Sequence, residues 1–201
     1  MEAAGVKLVL ASKNEKKLKE MNEILSGLGV EVCSQADAGV DVDVEETGAT
    51  FEENSLLKAK AVMEASGLPA IADDSGLCVD ALSGAPGVYS ARYGGDGLDD
   101  TGRYRLLLAN MPRGAARTAK FVSVITCCFP NGDVLTARGE CPGTIAFAPM
   151  GEGGFGYDPV FFLPELKKTF AQLSPEEKNA ISHRGRALEA FQAKLEGYIT
   201  Q

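Results

Sequence analysis

Apolar residues run together at Val6–Ala11 and then thin to Leu18, Met21, Leu25 and Leu28, a spacing that predicts a strand, a turn and an amphipathic helix. Ser12 with Glu15 three residues on has the form of a capping box for that helix, and Val30–Cys33 is the next β-prone run. A second capping box, Thr50 with Glu53, opens a helix whose apolar stripe is expected to be Leu56, Leu57, Ala61 and Val62. Pro69–Ala72 then reads as a short buried strand that delivers Asp73 and Asp74 to a sheet end, with Ser75-Gly76 as the turn after it. Gly84–Gly87 punctuates the next stretch of chain, and another helix is predicted across Arg103–Asn110.

The apolar runs Phe121–Phe129 and Val134–Cys141 flank Pro130-Asn131-Gly132-Asp133, whose Asn-Gly is a hairpin signal. Two helices close the pattern, the first capped by Ser174 with Glu177 and the second running from about Gly185 to Tyr198. Alternating β-α-β order followed by a hairpin indicates an α/β fold on a mixed sheet. No internal repeat, linker or low-complexity segment interrupts it.

With 201 residues, 45% of them hydrophobic, the chain is long enough for one globular domain with room for two lobes. The net charge of −8 argues against a nucleic-acid backbone or an anionic membrane as partner, so a phosphate ligand must be met by local cations. Between Lys19 and Lys58 there is no Lys or Arg, whereas Asp37, Asp41, Asp43, Glu45, Glu46, Glu52 and Glu53 fall in that interval. Such a run is either a solvated face or, beside cationic segments, a place for a divalent ion. The five cysteines have no C-x-x-C spacing, no leader-like segment opens the chain, and no apolar run reaches membrane-spanning length. Reduced thiols and a cytoplasmic location are expected.

Three segments carry candidate chemistry. Asp73-Asp74 places two carboxylates side by side; on a strand they point to opposite faces, and each raises the other's pKa unless a cation holds the charge. A solvated turn and a Mg²⁺ site both fit that pair. The turn Ser12–Lys17 joins a helix N-terminus to several ammonium groups, an arrangement that attracts anions but matches neither a P-loop nor a G-x-G-x-x-G turn. Gly151–Pro159 is dense in glycine around Phe155, Tyr157 and Asp158; it suits either base stacking with a carboxylate acceptor or a tight loop that packs both rings into the core. Ser182-His183-Arg184 holds the only histidine, close after Lys178, and reads either as a capped surface junction or as donors facing a cleft.

Taken together, Ser12-x-Asn14-x-x-Lys17, Glu45-Glu46-Thr47-Gly48, Asp73–Leu77, Gly84–Tyr93, Phe155–Pro159 and Ser182–Arg184 resemble the inosine triphosphate pyrophosphatase family, its bacterial branch above all, over nearly the whole chain. The resemblance implies an elongated mixed-sheet α/β fold with two lobes flanking a nucleotide-binding cleft. It also implies a homodimer, a Mg²⁺ requirement, and hydrolysis of ITP, dITP and XTP to the monophosphate and pyrophosphate. By the same resemblance, Ser12, Lys13, Asn14, Glu15, Lys16 and Lys17 correspond to the triphosphate-binding segment, with Lys58 on the helix below. Asp74 corresponds to the general base and a metal ligand, Ser75 to a substrate contact, and Glu45, or Glu46 in its place, to the second acidic metal position. Phe155, Gly156, Tyr157, Asp158, Lys178, His183 and Arg184 correspond to the base-binding positions. Lys13 departs from the family pattern, standing where bacterial relatives often carry glycine. Rival readings are a pyrophosphatase for dTTP or modified pyrimidines, and a nucleotide-binding module without chemistry.

Overall fold

The computed structural model describes residues 5–200. Its strands are β1 (Val6–Leu10), β2 (Val30–Cys33), β3 (Ala70–Val79), β4 (Thr118–Cys128), β5 (Val134–Ile145), β6 (Phe161–Leu163) and β7 (Lys168–Thr169). The helices are α1 (Glu15–Leu25), α2 (Phe51–Ser66), α3 (Asp100–Asn110), α4 (Pro175–Ile181) and α5 (His183–Ile199). The sheet order is β2-β1-β3-β4-β5-β6-β7, with β1 parallel to both β2 and β3 and the β5-β6-β7 end antiparallel. The expected mixed α/β sheet is therefore present. Among the described residues no helix is long and apolar enough to cross a membrane.

The chain divides into two compact units. The first comprises the chain up to Asp74, Ser123–Gly139 and the chain from Ala187 on. Its sheet is covered on both faces, which explains why β1 is apolar at nearly every position. Leu8, Leu10 and Ile71 pack with Met21 and Leu25 of α1 and with Leu188, Phe191 and Leu195 of α5. Val9, Ala11, Ala70 and Ala72 pack with Ala59 and Val62 of α2. Burial of these side chains supplies the main driving force for the unit, on the order of 2 kcal/mol for each large one. The second unit, Ser75–Val122 with Glu140–Arg186, has its own core around Phe121, Phe161 and Phe170, which meet edge-on and stacked at centroid distances of 4.6 to 5.5 Å.

Local expectations are corrected on three elements, α1, α2 and β3. The cap of α1 is Asn14, whose Oδ1 accepts from the N–H groups of Lys16 (3.0 Å) and Lys17 (3.3 Å), while Ser12 Oγ accepts from the Asn14 N–H. The helix begins at Glu15, so Ser12 lies too early to reach its first turn. On α2, Thr50 caps as expected by accepting from the Glu53 N–H, but Glu53 reaches back to the Ala49 N–H rather than to Thr50. The buried stripe of that helix is Phe51, Ser55, Ala59 and Val62, and Leu56 and Leu57 are exposed. Once the cap sets the phase of the helix, spacing by four residues selects the face, and Leu56 and Leu57 fall outside it.

The third correction concerns the acid pair. Asp73 and Asp74 lie in the middle of β3, and Ser75-Gly76 continues the strand instead of turning. Nearly every residue of the strand is buried, and the Leu77 N–H is held by Ser90 Oγ at 2.9 Å, so packing overrides the turn preference of Ser-Gly. The expected turns and caps elsewhere form: Phe129 and Asp133 close the β4–β5 hairpin around Gly132, and Ser174 with Glu177 makes a complete capping box.

Candidate active site

Alternation along β3 decides what each acid meets. Ile71 belongs to the face packed on α1, so Asp73 points the same way, and its Oδ1 accepts from Lys17 Nζ at 3.0 Å. Ala70 and Ala72 belong to the α2 face, so Asp74 points there, and its Oδ1 lies 3.5 Å from Lys58 Nζ. Neighbouring acids are tolerated because the sheet separates them and gives each a lysine from a different helix. Lys58 Nζ also donates to Glu46 at 2.9 Å, so one ammonium joins the acidic segment to Asp74. Of the two candidate acids, Glu46 is the one drawn to Asp74 through Lys58; Glu45 is exposed, on a segment whose residues alternate between exposed and half-buried.

Burial pushes the Asp74 carboxyl up from 3.8 to about 6, with Glu46 and Asp73 adding to the rise while Lys58 and Asn54 oppose it. Burial alone would lower the Lys58 ammonium, but Asp73, Asp74 and Glu46 outweigh it and hold the group above its ordinary value. Among the described residues, Asp74 Oδ2 is buried and has no hydrogen-bond partner, and neither does Asn54 Nδ2. An unpaired carboxylate oxygen at full burial is costly, about 1–3 kcal/mol, and is an open acceptor for a ligand, proton or cation. Among the described residues no group of three or more His, Cys, Asp or Glu is placed to cage a metal ion.

A cavity of about 260 Å³ opens beside this constellation, lined by Ser12, Lys13, Lys17, Gln35, Glu46 and Lys58 among others. The helix N-terminus there is partly spoken for, since Asn14 already accepts from two of the first amides. Lys17 and Lys58 are half-buried and supply fixed charge, whereas Lys13, Asn14, Glu15 and Lys16 are exposed. Lys13, the departure from the family pattern, is paired at the surface with Asp41 at 2.8 Å.

In the second unit the glycine-rich loop separates its two aromatics. Tyr157 is buried, donates its hydroxyl to the Ser90 carbonyl at 2.7 Å, and has its pKa pushed up by burial; it anchors the loop. Phe155 is 40% exposed and is flanked by two cations, with Lys178 Nζ 4.7 Å and the Arg184 guanidinium carbon 5.7 Å from its ring centroid. Asp158 is buried beneath it, its Oδ2 accepting from Lys178 Nζ at 2.6 Å and from the Phe155 N–H at 3.0 Å. The Gly156 N–H donates to Asp100. His183 is buried and stacks on Phe121 at 4.6 Å between centroids, and Arg184 beside it is also buried, so this junction is built into the core of the unit rather than being surface charge. Ser75 is half-buried in β3.

Gly154 is required by this arrangement. Its φ is +69°, and a Cβ placed on it would land on the Asp158 carboxylate. Gly154→Ala is therefore expected to lose at least about 1–2 kcal/mol from the left-handed backbone alone, which corresponds to a melting point lower by several degrees for a chain of this size. Thermal denaturation followed by circular dichroism checks it, and a variant melting with the wild type overturns the role given to this glycine.

Sequence reasoning passed over Asn54 and Gln35, both buried polar residues of this site region. A polar residue at a buried helix position is the signal that finds Asn54, and it appears only once the α2 face is known; Gln35 lies in the turn after β2, where no periodicity marks it.

The Ham1 family model matches residues 8–194. A dITP/XTP pyrophosphatase of Haemophilus influenzae is 52% identical over 94% of this chain and 98% of its own length, and one of Desulforamulus reducens is 51% identical over 92% of each. The solved Ham1 protein of Staphylococcus aureus is 44% identical, covers 96% of this chain and 99% of its own, and superposes with a TM-score of 0.88. A HAM1 protein from Coxiella burnetii gives 0.89 at 44% identity, covering 94% of this chain and 98% of its own. A family model that spans most of the chain, relatives about half identical along it and solved structures of the same fold lead to one conclusion: this protein belongs to the Ham1 family.

Proposed function

We propose that the protein is a nucleoside-triphosphate pyrophosphatase that hydrolyses ITP, dITP and XTP to the monophosphate and pyrophosphate with Mg²⁺, removing non-canonical purines from the nucleotide pool. The observation that carries this reading is the buried, unpartnered Asp74 oxygen beside the Lys58–Glu46 pair. The names of the relatives point the same way.

Asp74 and Glu46 are the residues that would hold the cation, which when bound neutralises the polyphosphate and stabilises the leaving pyrophosphate. Lys17 and Lys58 add fixed positive charge that needs no rearrangement as charge develops. Asp74 Oδ2 accepts the proton of the attacking water as the bond between the α-phosphorus and the bridging oxygen breaks. A carboxyl group near 6 suits this role: it is ionised at neutral pH and is still more basic than an ordinary aspartate.

The second unit supplies a match for the base. A purine stacks on the exposed face of Phe155, and the side-chain donors Lys178 and Arg184 suit the 6-oxo group of hypoxanthine or xanthine. Adenine presents an amino donor at that position and leaves donors facing one another. An unmatched buried donor costs about 1–3 kcal/mol, or roughly ten- to a hundredfold in kcat/KM.

Pyrophosphate release from a panel of nucleotides with Mg²⁺ tests the proposal. ITP, dITP and XTP are expected to be turned over at least about tenfold faster than ATP in kcat/KM, and a chelator should abolish turnover. Hydrolysis of dTTP but not ITP would favour the pyrimidine reading, and turnover of no nucleotide would leave a binding module.

A further inference from the structure

The least expected residue near Asp74 is Asn54, a carboxamide with no exposed surface at all on the first turn of α2. Its Oδ1 accepts from the Gly48 N–H at 2.7 Å. A backbone N–H can only donate, so this bond settles which end of the carboxamide is oxygen and turns Nδ2 to the other side. There Nδ2 has no partner among the described residues, and Asp74 has an oxygen with none. One is a donor without an acceptor and the other an acceptor without a donor.

The surroundings are shaped for this contact. A Cβ on Gly48 would lie 2.6 Å from Asn54 Oδ1 and 2.7 Å from Glu53 Cβ, so only glycine lets the acidic segment approach so closely. Glu46 lies two residues before that glycine. Lys58 follows Asn54 by one helical turn, so α2 presents an amide and an ammonium on one face, and both address Asp74. The effect of Asn54 is to favour the charged carboxylate, as a donor would.

We infer that Asn54 is a positioning residue: pinned by Gly48, its Nδ2 engages one lone pair of Asp74 Oδ2, fixes that carboxylate's rotamer, and locks it in register with the segment carrying Glu46. A carboxylate oxygen has two lone-pair directions, so the second stays open for water or a cation. Gly48, Asn54 and Asp74 thus form a chain from the acidic segment to the reacting carboxylate. Removing the amide leaves the carboxylate free to rotate and blurs its alignment with Glu46.

The inference rests on the role proposed for Asp74, and the experiment separates the two. Asn54→Leu keeps the size of the side chain and removes both polar ends. Its kcat for ITP is expected to fall at least about tenfold with KM within about twofold, and Mg²⁺ titrated into the nucleotide-free protein by calorimetry should bind at least about fivefold more weakly. Asn54→Gln, which keeps a donor on a longer arm, should recover part of both. A folded Asn54→Leu with the kcat and Mg²⁺ affinity of the wild type overturns the inference while leaving the proposed function intact. Failure of the wild type to hydrolyse any nucleotide instead overturns that function. Should Asn54→Leu fail to fold, the ¹H–¹⁵N side-chain amide signal of Asn54 in the wild type serves, assigned by its disappearance in Asn54→Gln. It is expected to be protected from exchange and to shift on Mg²⁺ addition, and a signal with the exchange rate of an exposed carboxamide overturns the assignment.

Discussion

Asp74→Asn is expected to lose at least about a hundredfold in kcat and yet to melt at a higher temperature than the wild type above about pH 6. The two effects have one cause. Burial raises the Asp74 carboxyl from 3.8 to about 6, so the folded protein holds that proton more tightly than the unfolded chain does. Stability contributed by the neutral acid is complete below about pH 4 and is lost as pH rises through about 6. A shift of about two units corresponds to at most about 3 kcal/mol, at 1.36 kcal/mol per unit. Asparagine carries no charge to desolvate, so the variant escapes this penalty while losing the proton acceptor and cation ligand proposed above. Its advantage in melting temperature should therefore be small at pH 4, open between pH 4 and pH 7, and stay constant above that. Melts across that range with single-turnover kinetics on ITP check both halves. A melting-point difference that does not change with pH would show that burial does not destabilise the charged form of Asp74.

Lys58→Met is expected to be among the most destabilising single substitutions in the first unit. The ammonium is largely buried, 2.9 Å from Glu46 and 3.5 Å from Asp74, and also acts on Asp73. Methionine preserves the apolar stem but leaves three carboxylates around a vacated charge. Breaking a buried pair from one side costs on the order of 3–5 kcal/mol. Lys58 is the main group opposing the rise of the Asp74 pKa, so without it that carboxyl climbs further above its ordinary value. The charged form is then penalised more strongly, and lowering the pH to about 5 should recover part of the loss by protonation. Urea unfolding at pH 5 and pH 8 measures this, and a cost under about 1 kcal/mol at both would remove Lys58 from the centre of the site. Adding Asp74→Asn to Lys58→Met should recover more than independent sites would, because the two side chains touch.

Much of the architecture follows from local pattern. Strands β1 and β2, the hairpin at Asn131-Gly132, the caps at Thr50 and Ser174, and the mixed α/β order are all visible as periodicity and turn chemistry, because those features depend on neighbours close in the chain. The misreadings share a different cause. Leu56 and Leu57 are as apolar as Val62, and only the packing of α2 on Val9 and Ala72 shows which side of the helix is covered. Ser75-Gly76 is a turn by propensity and a strand by burial. Ser12 has the right residue type for a cap and sits two positions too early.

For the candidate site the division is similar. Residue order alone establishes that two carboxylates stand adjacent, that lysines follow the first strand, and that an aromatic loop precedes a His-Arg pair; these motifs also mark the family. Folding is what brings Asp73 to Lys17 and Asp74 to Lys58, joins Glu46 rather than Glu45 to them, and buries Tyr157 while leaving Phe155 exposed between two cations. Residue type and spacing are local properties and can be read along the chain. Burial, charge partners and the orientation of a side chain come from segments distant in sequence, and it is those that turn Asp74 from an ordinary surface acid into a buried carboxyl group titrating near 6.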